Sequence, residues 1–210
     1  MVRMRLTYKK VGDIIYTSNL DLQKIWERAC RRANLRIAYT LGFHPQARIQ
    51  QAAPLPLGFS STTEIVDIWF DLDTEIPDLE ERINLALPNG LAVSRIEKID
   101  LNEPALQNQI TYCIYLVELH PGLLKALLKN KIKDILNKDE LIIKKRGKTI
   151  NLRERIESIE IAKKEIKGKY SMIMKLTQRP GLSGRPDDIL TAMGIDPFLS
   201  KIERISLVIS

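Results

Sequence analysis

The stretch Arg3-Met4-Arg5-Leu6-Thr7-Tyr8-Lys9, followed by Leu22-Gln23-Lys24-Ile25-Trp26-Glu27-Arg28-Ala29-Cys30, decides the fold class. In the first part apolar and polar residues alternate, which is typical of a half-buried β-strand. In the second part apolar residues recur at helical spacing, and Ser18 and Asp21 occupy the N-cap and N3 positions of an approximate capping box. The chain is therefore predicted to open with a strand and a helix.

The same patterns continue outward and give the element order βαββαβ. We predict extended structure over 35–51, a strand over 63–72, a helix over 77–87 and a strand over 91–99. After a candidate linker, 101–109, the order recurs: strand 110–119, helix 122–136, strands near 141–150 and 170–177, helix 186–193 and strand 202–209. Between 151 and 169 we expect a helical turn and an added strand.

This recurrence lies in the order of the elements, since the two halves share no residue-level repeat. Two βαββαβ units predict an α+β fold built from two ferredoxin-like units with antiparallel sheets, each with both helices on one face. The units are expected at 1–100 and 110–210, joined by the linker 101–109.

Composition restricts the class of protein. The 210 residues are 44% apolar and 28% charged, and no apolar run approaches the roughly 18 residues that suggest a membrane span. We expect a soluble, cytoplasmic protein without a membrane partner. The two cysteines, Cys30 and Cys113, are far apart, and neither they nor the two histidines show the spacing of metal ligands. No metal or cofactor is expected.

Charge is segregated along the chain. Residues 1–48 carry ten basic and three acidic groups, and 49–108 carry three basic and eleven acidic ones. Residues 121–170 return to fifteen basic against seven acidic groups. Such segregation indicates either a surface that faces a polyanion or two internally complementary halves.

Several clusters of basic residues are candidates for binding RNA phosphates, with a solvated surface as the alternative. Lys125, Lys129 and Lys133 follow one another at i, i+4 steps, and we expect them opposite the leucines of the same helix. Arg179 and Arg185 flank the turn before the helix at Pro186. The full set that we predict to contact RNA is Lys125, Lys129, Lys144, Lys145, Arg146, Lys148, Arg179, Arg185, Arg31 and Arg32.

The basic face of the first strand has a different expected role. In a ferredoxin-like order the first and third strands are antiparallel neighbours, which brings Asp67 and Trp69 beside Arg3 and Arg5. Cross-strand ion pairing would then neutralise these arginines.

Linked motifs across nearly the whole chain resemble the radical-SAM-linked domain of unknown function, DUF2344, a bacterial family. The segments that carry the resemblance are Tyr16-Thr17-Ser18-Asn19-Leu20-Asp21-Leu22, Arg28 to Arg32, Gly42-Phe43-His44-Pro45, Leu55-Pro56-Leu57-Gly58 and Arg185-Pro186-Asp187-Asp188-Ile189-Leu190. The chain departs from the family pattern at Asn19, where histidine is usual, and at His44, where asparagine is. The family's setting beside ribonuclease and ribosomal-protein genes implies an RNA or translation context.

The resemblance implies a separate radical SAM protein as partner. Radical SAM chemistry needs cysteine thiolates to hold an iron–sulfur cluster, and two distant cysteines cannot supply them. We therefore expect a non-catalytic adapter that holds RNA, such as tRNA or ribosomal RNA, for that partner. The loop from Gly42 to Gly58 is the expected docking surface, through Phe43, His44 and Arg48, unless its prolines merely pack it over the sheet.

Two other functions are compatible with the same sequence. A metal-independent endoribonuclease could use His44 as a general acid or base. A purely protein-binding module could use the acidic 49–108 and basic 121–170 surfaces to fix an assembly.

Overall fold

A computed structural model describes residues 1–71, 78–145, 147–162 and 170–209. The chain is an α+β protein whose strand pairs are antiparallel, as expected. It forms two compact units, Met1–Gln109 and Ile110–Ser210. None of the helices in the described residues is long and apolar enough to span a membrane.

In its described residues, the first unit has four paired strands and three α-helices. In chain order these are β1 (Val2–Lys10), α1 (Asn19–Arg32), β2 (Ile49–Gln51), β3 (Ser60–Phe70), α2 (Leu79–Ala86), β4 (Leu91–Ile99) and α3 (Leu106–Gln109). The strands are ordered β4-β1-β3-β2, and every neighbouring pair is antiparallel. β1 is therefore a central strand and β2 is short.

Helix α1 begins where the sequence predicts. The Ser18 hydroxyl accepts a hydrogen bond from the Asp21 backbone N–H at 3.1 Å and donates one to the Asp21 carboxylate at 2.7 Å. This satisfies one of the N–H groups that a helix leaves unpaired at its start. Its buried face carries Leu22, Trp26, Ala29 and Cys30, which confirms the predicted stripe.

The core of the first unit lies between its sheet and its helices. Leu6 and Tyr8 of β1 pack with Val66, Ile68 and Phe70 of β3. The ring of Trp26, from α1, meets the Tyr8 ring edge-on with centroids 4.9 Å apart. Burial of each such large side chain stabilises the fold by about 1.5–3 kcal/mol.

Three predicted segments of the first unit differ in detail. Over 35–51 the chain forms only isolated bridges, such as Ile37 with Phe70, before the short β2. The helix predicted from Pro77 begins at Leu79 in the structure, and Pro77 itself lies outside the described residues. Residues 101–109, expected as a linker, include α3 and the fully buried Leu106 and are part of the first unit.

The described part of the second unit has seven strands and two α-helices. In chain order these are β5 (Ile110–Glu118), α4 (Lys125–Leu136), β6 (Ile142–Lys145), β7 (Lys148–Asn151), β8 (Ile156–Ile161), β9 (Ser171–Arg179), β10 (Leu182–Ser183), α5 (Pro186–Ala192) and β11 (Lys201–Ile209). β5 pairs with β11 on one side and β9 on the other, and β9 also pairs with β8 and β10.

The strand beside β9 is β8, whereas the sequence pattern suggested the region 141–150 for that position. β6 and β7 instead pair with each other as a separate two-stranded hairpin. At the end of this hairpin away from its turn, the side chain of Asn151 accepts hydrogen bonds from the backbone N–H groups of Leu141 and Arg153. β8, which follows the turn at 152–156, therefore corresponds to the expected added strand, and it pairs with β9 in the sheet.

Candidate functional site

Three lysines of α4, Lys125, Lys129 and Lys133, form an exposed row, although not in the expected place. The buried positions of α4 are Leu128, Ile132 and Ile135, whereas Leu124 and Leu127 are 71% and 47% exposed. At 100° per residue, Lys125, Lys129 and Lys133 lie beside this buried stripe and not opposite the whole leucine set. The lysine row therefore borders the packed face of the helix.

The hairpin β6–β7 divides the basic cluster that the sequence suggested. Lys145 and Lys148 are cross-strand partners and share one face, while Lys144 faces the other way opposite Thr149. Lys145 forms an ion pair with Asp188 of α5. Lys144 and Lys148 remain exposed, and Arg146 lies outside the described residues.

The two arginines of the turn before α5 also differ from each other. Arg185 donates two hydrogen bonds to Asp187, at 3.0 and 2.8 Å, and this bonding raises the pKa of its guanidinium. Arg179 is exposed and forms no ion pair with another described residue. Of this pair, Arg179 is the one with an uncommitted charge.

The arginines of α1 are partly committed. Arg31 pairs with Glu27 at 3.2 Å and keeps 73% of its side chain exposed. Arg32 donates to the carbonyl of Ala86, at the last residue of α2. A cation at a helix C-terminus is stabilised by the helix dipole, so this contact has a structural role.

Arg3 and Arg5 form ion pairs with Asp67, as predicted, in a buried cluster. The Asp67 carboxylate accepts from Arg3 Nε at 2.9 Å and Nη2 at 2.6 Å, and from Arg5 Nε at 2.8 Å and Nη2 at 3.0 Å. Arg3 also donates to the carbonyls of Glu103 and Pro104. Arg5 donates to the side chain of Gln109 at 3.2 Å.

Trp69 stands between two guanidinium groups. Those of Arg3 and Arg48 lie 4.9 and 4.8 Å from its ring centre, within the range of cation–π attraction. Arg48 also donates to the sulfur of Met1 at 3.1 Å. Arg48 was predicted to contact a partner, and the structure gives it a fixed orientation at the edge of the sheet.

Residues 40–46, which we call the finger loop, present two large apolar side chains to solvent. Leu41 and Phe43 are both completely exposed. The base of the loop is closed, because the Thr40 N–H donates to the Gln46 carbonyl and the Gln46 N–H donates to the Thr40 hydroxyl, each at 2.9 Å. Tyr39, just before it, donates to Glu27 at 3.0 Å. The prolines therefore do not pack Phe43 over the sheet.

Sequence reasoning selected Phe43 but missed Leu41. The available signal was an apolar residue two positions before Phe43 in a loop whose other residues are polar, glycine or proline. Leu41 and Phe43 therefore place two fully exposed apolar side chains on one short loop, which makes this loop a candidate contact surface.

His44 is exposed in the same loop. Among the described residues, no hydrogen bond orients its imidazole. A general acid or base needs a defined position relative to the proton that it transfers. The described residues also contain no group of three or more histidine, cysteine or acidic side chains placed to hold a metal ion.

With this geometry described, the chain can be compared with known proteins. Residues 3–186 match a family described as an uncharacterized protein conserved in bacteria (DUF2344). The chain belongs to this family. The match confirms the family that the linked motifs suggested. No protein with a curated description matches the chain.

Solved structures add a likeness of fold to this DUF2344 chain. A chain in the crystal structure of a Cbf5-Nop10-Gar1 complex is 11% identical, with a TM-score of 0.50. The match covers 97% of this chain and 48% of that one, so this chain spans about half the length of its counterpart. An unknown protein from Galdieria sulphuraria is 12% identical over 100% of this chain and 98% of its own, with a TM-score of only 0.28.

Two of the segments that carried the family resemblance meet in the first unit. The Gly58 N–H donates to the Ile15 carbonyl at 3.1 Å, and a Cβ at Gly58 would lie 3.7 Å from the Tyr16 ring. Nearby in sequence, the side-chain oxygen of Asn19 is buried without a hydrogen-bond partner among the described residues. These segments of the DUF2344 family therefore join the start of α1 to the approach to β3.

Proposed function

We propose that this protein is a non-catalytic adapter that binds RNA and docks on a separate radical SAM protein. The observation that carries the proposal is the finger loop, in which Leu41 and Phe43 are fully exposed above a hydrogen-bonded base. A rigid base limits the entropy that the loop loses on binding. An exposed aromatic and an exposed aliphatic side chain are suited to fill an apolar pocket on a partner.

The RNA-binding part of the proposal is supported by five exposed cations that form no ion pair with another described residue. Lys125, Lys129, Lys144, Lys148 and Arg179 are exposed, and all belong to the second unit. Lysine and arginine heads at such positions bind phosphates without reading sequence. Lys145, Arg185 and Arg32 contribute less, because their charges are already bonded to protein groups.

We also infer that each unit is a ferredoxin-like fold. In the first unit the four strands follow the order fourth, first, third, second, all antiparallel. In the second unit β11, β5, β9 and β8 have the same order, with the β6–β7 hairpin and β10 as additions. The inference is supported by these orders and by the two helices inserted after the first and third strands.

The adapter proposal is tested by reconstituting the pure chain with a candidate radical SAM partner under anaerobic, reducing conditions. RNA modification is expected only when both proteins are present. The variant Leu41→Ser/Phe43→Ser should weaken partner binding at least tenfold, since one buried aromatic anchor contributes about 2 kcal/mol or more. Leu20→Ser/Leu85→Ser is the matched control, because Leu20 and Leu85 are also exposed but lie on helices.

Each result of that experiment is informative. Equal partner affinity of the finger-loop variant and the parent protein would reject docking through this loop. RNA cleavage by the chain alone, abolished by His44→Ala, would replace the adapter proposal by the ribonuclease. The exposed finger loop also favours the alternative of a purely protein-binding module. If the chain binds its protein partner but binds no RNA, that alternative would replace the adapter.

A further inference from the structure

In the described part of the chain, strand β4 has a neighbouring strand along only one of its two edges. That neighbour is β1, which pairs with it from Arg3 opposite Ile99 to Lys10 opposite Leu91. An open edge presents backbone N–H and C=O groups that can form a ladder with another chain. β4 has nine residues, whereas β2, at the other end of the first unit's strand order, has three. β4 is therefore the longer edge strand of the first unit.

The first part of this edge is already closed by α2. The Val93 N–H donates to the side-chain oxygen of Asn84 at 2.8 Å, and the Asn84 amide donates to the Val93 carbonyl at 3.1 Å. The register between β1 and β4 then shifts at Ser94. Among the described residues, the part of the edge that remains open for another chain runs over 94–99.

The open part carries a charge pattern that is complementary to its own copy. Arg95 and Glu97 lie on the same face of the strand and form an ion pair at 2.8 Å, with 68% and 38% of their side chains exposed. Ile96, between them, is half-buried against the core of the first unit. When two such strands pair antiparallel about Ile96, the basic residue of each copy lies opposite the acidic residue of the other.

Charge selects this register from the alternatives. The copies present identical edges, and outward-pointing backbone groups must meet one another, so a two-fold axis passes through a residue that lies opposite its own copy. An axis through Arg95, Glu97 or Lys98 opposes two like charges, which is destabilising. An axis through Ile96 instead gives a closed ring of four charges, in which each arginine lies between two glutamates.

We propose that this chain forms a two-fold dimer in which the β4 strands of two copies pair antiparallel, with Ile96 opposite Ile96 of the second copy. Pairing extends over 94–98, so Lys98 lies opposite the uncharged Ser94. Because the ladder is short, the dimer exchanges with the monomer. This contact is separate from the finger loop, and it requires neither RNA nor a protein of another kind.

The first experiment measures the mass of the full chain by analytical ultracentrifugation over a wide range of concentrations. The parent protein is expected to shift from monomer to dimer as its concentration rises. Arg95→Glu and Glu97→Arg, each alone, should weaken the dimer at least tenfold, because each opposes like charges at two places. Lys98→Glu is the matched control, since it changes the net charge as much as Arg95→Glu but faces Ser94. It should change the affinity by less than about twofold.

A mixture of the two charge variants gives a sharper result. In a heterodimer of Arg95→Glu with Glu97→Arg, every charge at these two positions faces an opposite charge of the other chain. The mixture should therefore dimerise at least tenfold more tightly than either variant alone. A loss of folding in the variants would not produce this rescue.

A disulfide tests the register independently. With the axis through Ile96, the Cα atoms of the two residues 96 lie about 4.5–5.5 Å apart, which a disulfide can span. Ile96→Cys should form a covalent dimer on mild oxidation, whereas Ser94→Cys, which lies opposite Lys98, should not. The native Cys30 and Cys113 are buried and do not compete.

The proposal would be overturned by a parent protein that stays monomeric at every concentration, or by a dimer that neither single charge variant weakens. A mixture of the charge variants that associates no better than its components would overturn it as well. Equal crosslinking of Ser94→Cys and Ile96→Cys would reject the register. Because the replaced charges are at the surface, the variants should fold, and an unchanged Tm verifies this.

Discussion

The carboxylate of Asp67 binds two buried guanidinium groups at once. The pairing of the first and third strands predicted that Asp67 would lie beside Arg3 and Arg5. The sequence could not predict that Glu103, Pro104 and Gln109 complete the cluster, because their position depends on the path of a segment far along the chain. Local periodicity carries no information about such a contact.

Replacing Asp67 by Asn should destabilise the protein by about 3–5 kcal/mol, because two buried cations would lose their counter-charge. Asp71→Asn is the control, since Asp71 is exposed at the end of the same strand, and its effect should stay within about 0.5 kcal/mol. Urea unfolding measures both values. Similar stability of the two variants would show that the buried cluster contributes little.

Cys30 should react with a thiol reagent only after unfolding. Burial raises the pKa of its thiol from 9.0 to about 12, so the folded protein holds the nonreactive protonated form at pH 8. The unfolded chain loses this proton near its ordinary pKa, whereas the folded one keeps it. This group therefore reduces stability as the pH rises from about 9 towards 12.

The measurement is iodoacetamide labelling with mass spectrometry, and Cys30→Ala gives the control for the pH effect. Rapid labelling of Cys30 at pH 8 in the folded protein would contradict the prediction. A stability curve that is the same with and without Cys30 between pH 9 and 11 would do so as well.

At the scale of elements, the strongest local signals predicted the structure best. The capping residues Ser18 and Asp21 and the helical spacing from Leu22 to Cys30 predicted α1 because the cap and the spacing are both local features of the sequence. The choice of β8 over β6–β7 as partner of β9 was not predictable, since both regions mix isoleucines with polar residues and only tertiary pairing distinguishes them. The ion pair between Lys145 and Asp188 has the same non-local origin.

The turn before β4 should tolerate no side chain at Gly90. Its φ is +92°, and an added Cβ would lie 2.3 Å from the Val11 carbonyl oxygen and 2.9 Å from the Ile14 side chain. Gly122 has a similar φ of +102° but open space around it. Gly122→Ala should cost about 1–3 kcal/mol from backbone strain, and Gly90→Ala should cost clearly more. Thermal unfolding compares them, and equal costs would argue against the steric contact.

At the scale of the whole molecule, RNA affinity should depend on the exposed cations for which the described part of the chain offers no ion-pair partner. If Lys125, Lys129, Lys144 and Lys148 each neutralise one phosphate, the log–log salt slope for single-stranded RNA should be about −3. Lys144→Gln/Lys148→Gln should reduce the magnitude of this slope by about one unit or more. Lys145→Gln/Arg185→Gln should change it less, because these two side chains are held by Asp188 and Asp187.

Filter binding or fluorescence anisotropy at several salt concentrations measures these slopes. If Lys145→Gln/Arg185→Gln reduced the slope more than Lys144→Gln/Lys148→Gln does, the RNA surface would lie around α5 instead. A slope near zero for the parent protein would remove RNA binding from the proposed function.

The placement of the aromatic residues has a spectroscopic consequence. The chain contains two tryptophans, Trp26 and Trp69, and both belong to the first unit. Trp26 is fully buried against Tyr8, whereas Trp69 is flanked by two cations, so the two indoles should emit at different wavelengths. Selectively excited tryptophan fluorescence therefore reports the melting of the first unit, while calorimetry records heat from both. Comparing the two melting curves shows whether the two units unfold in one transition, without any label being added to the protein.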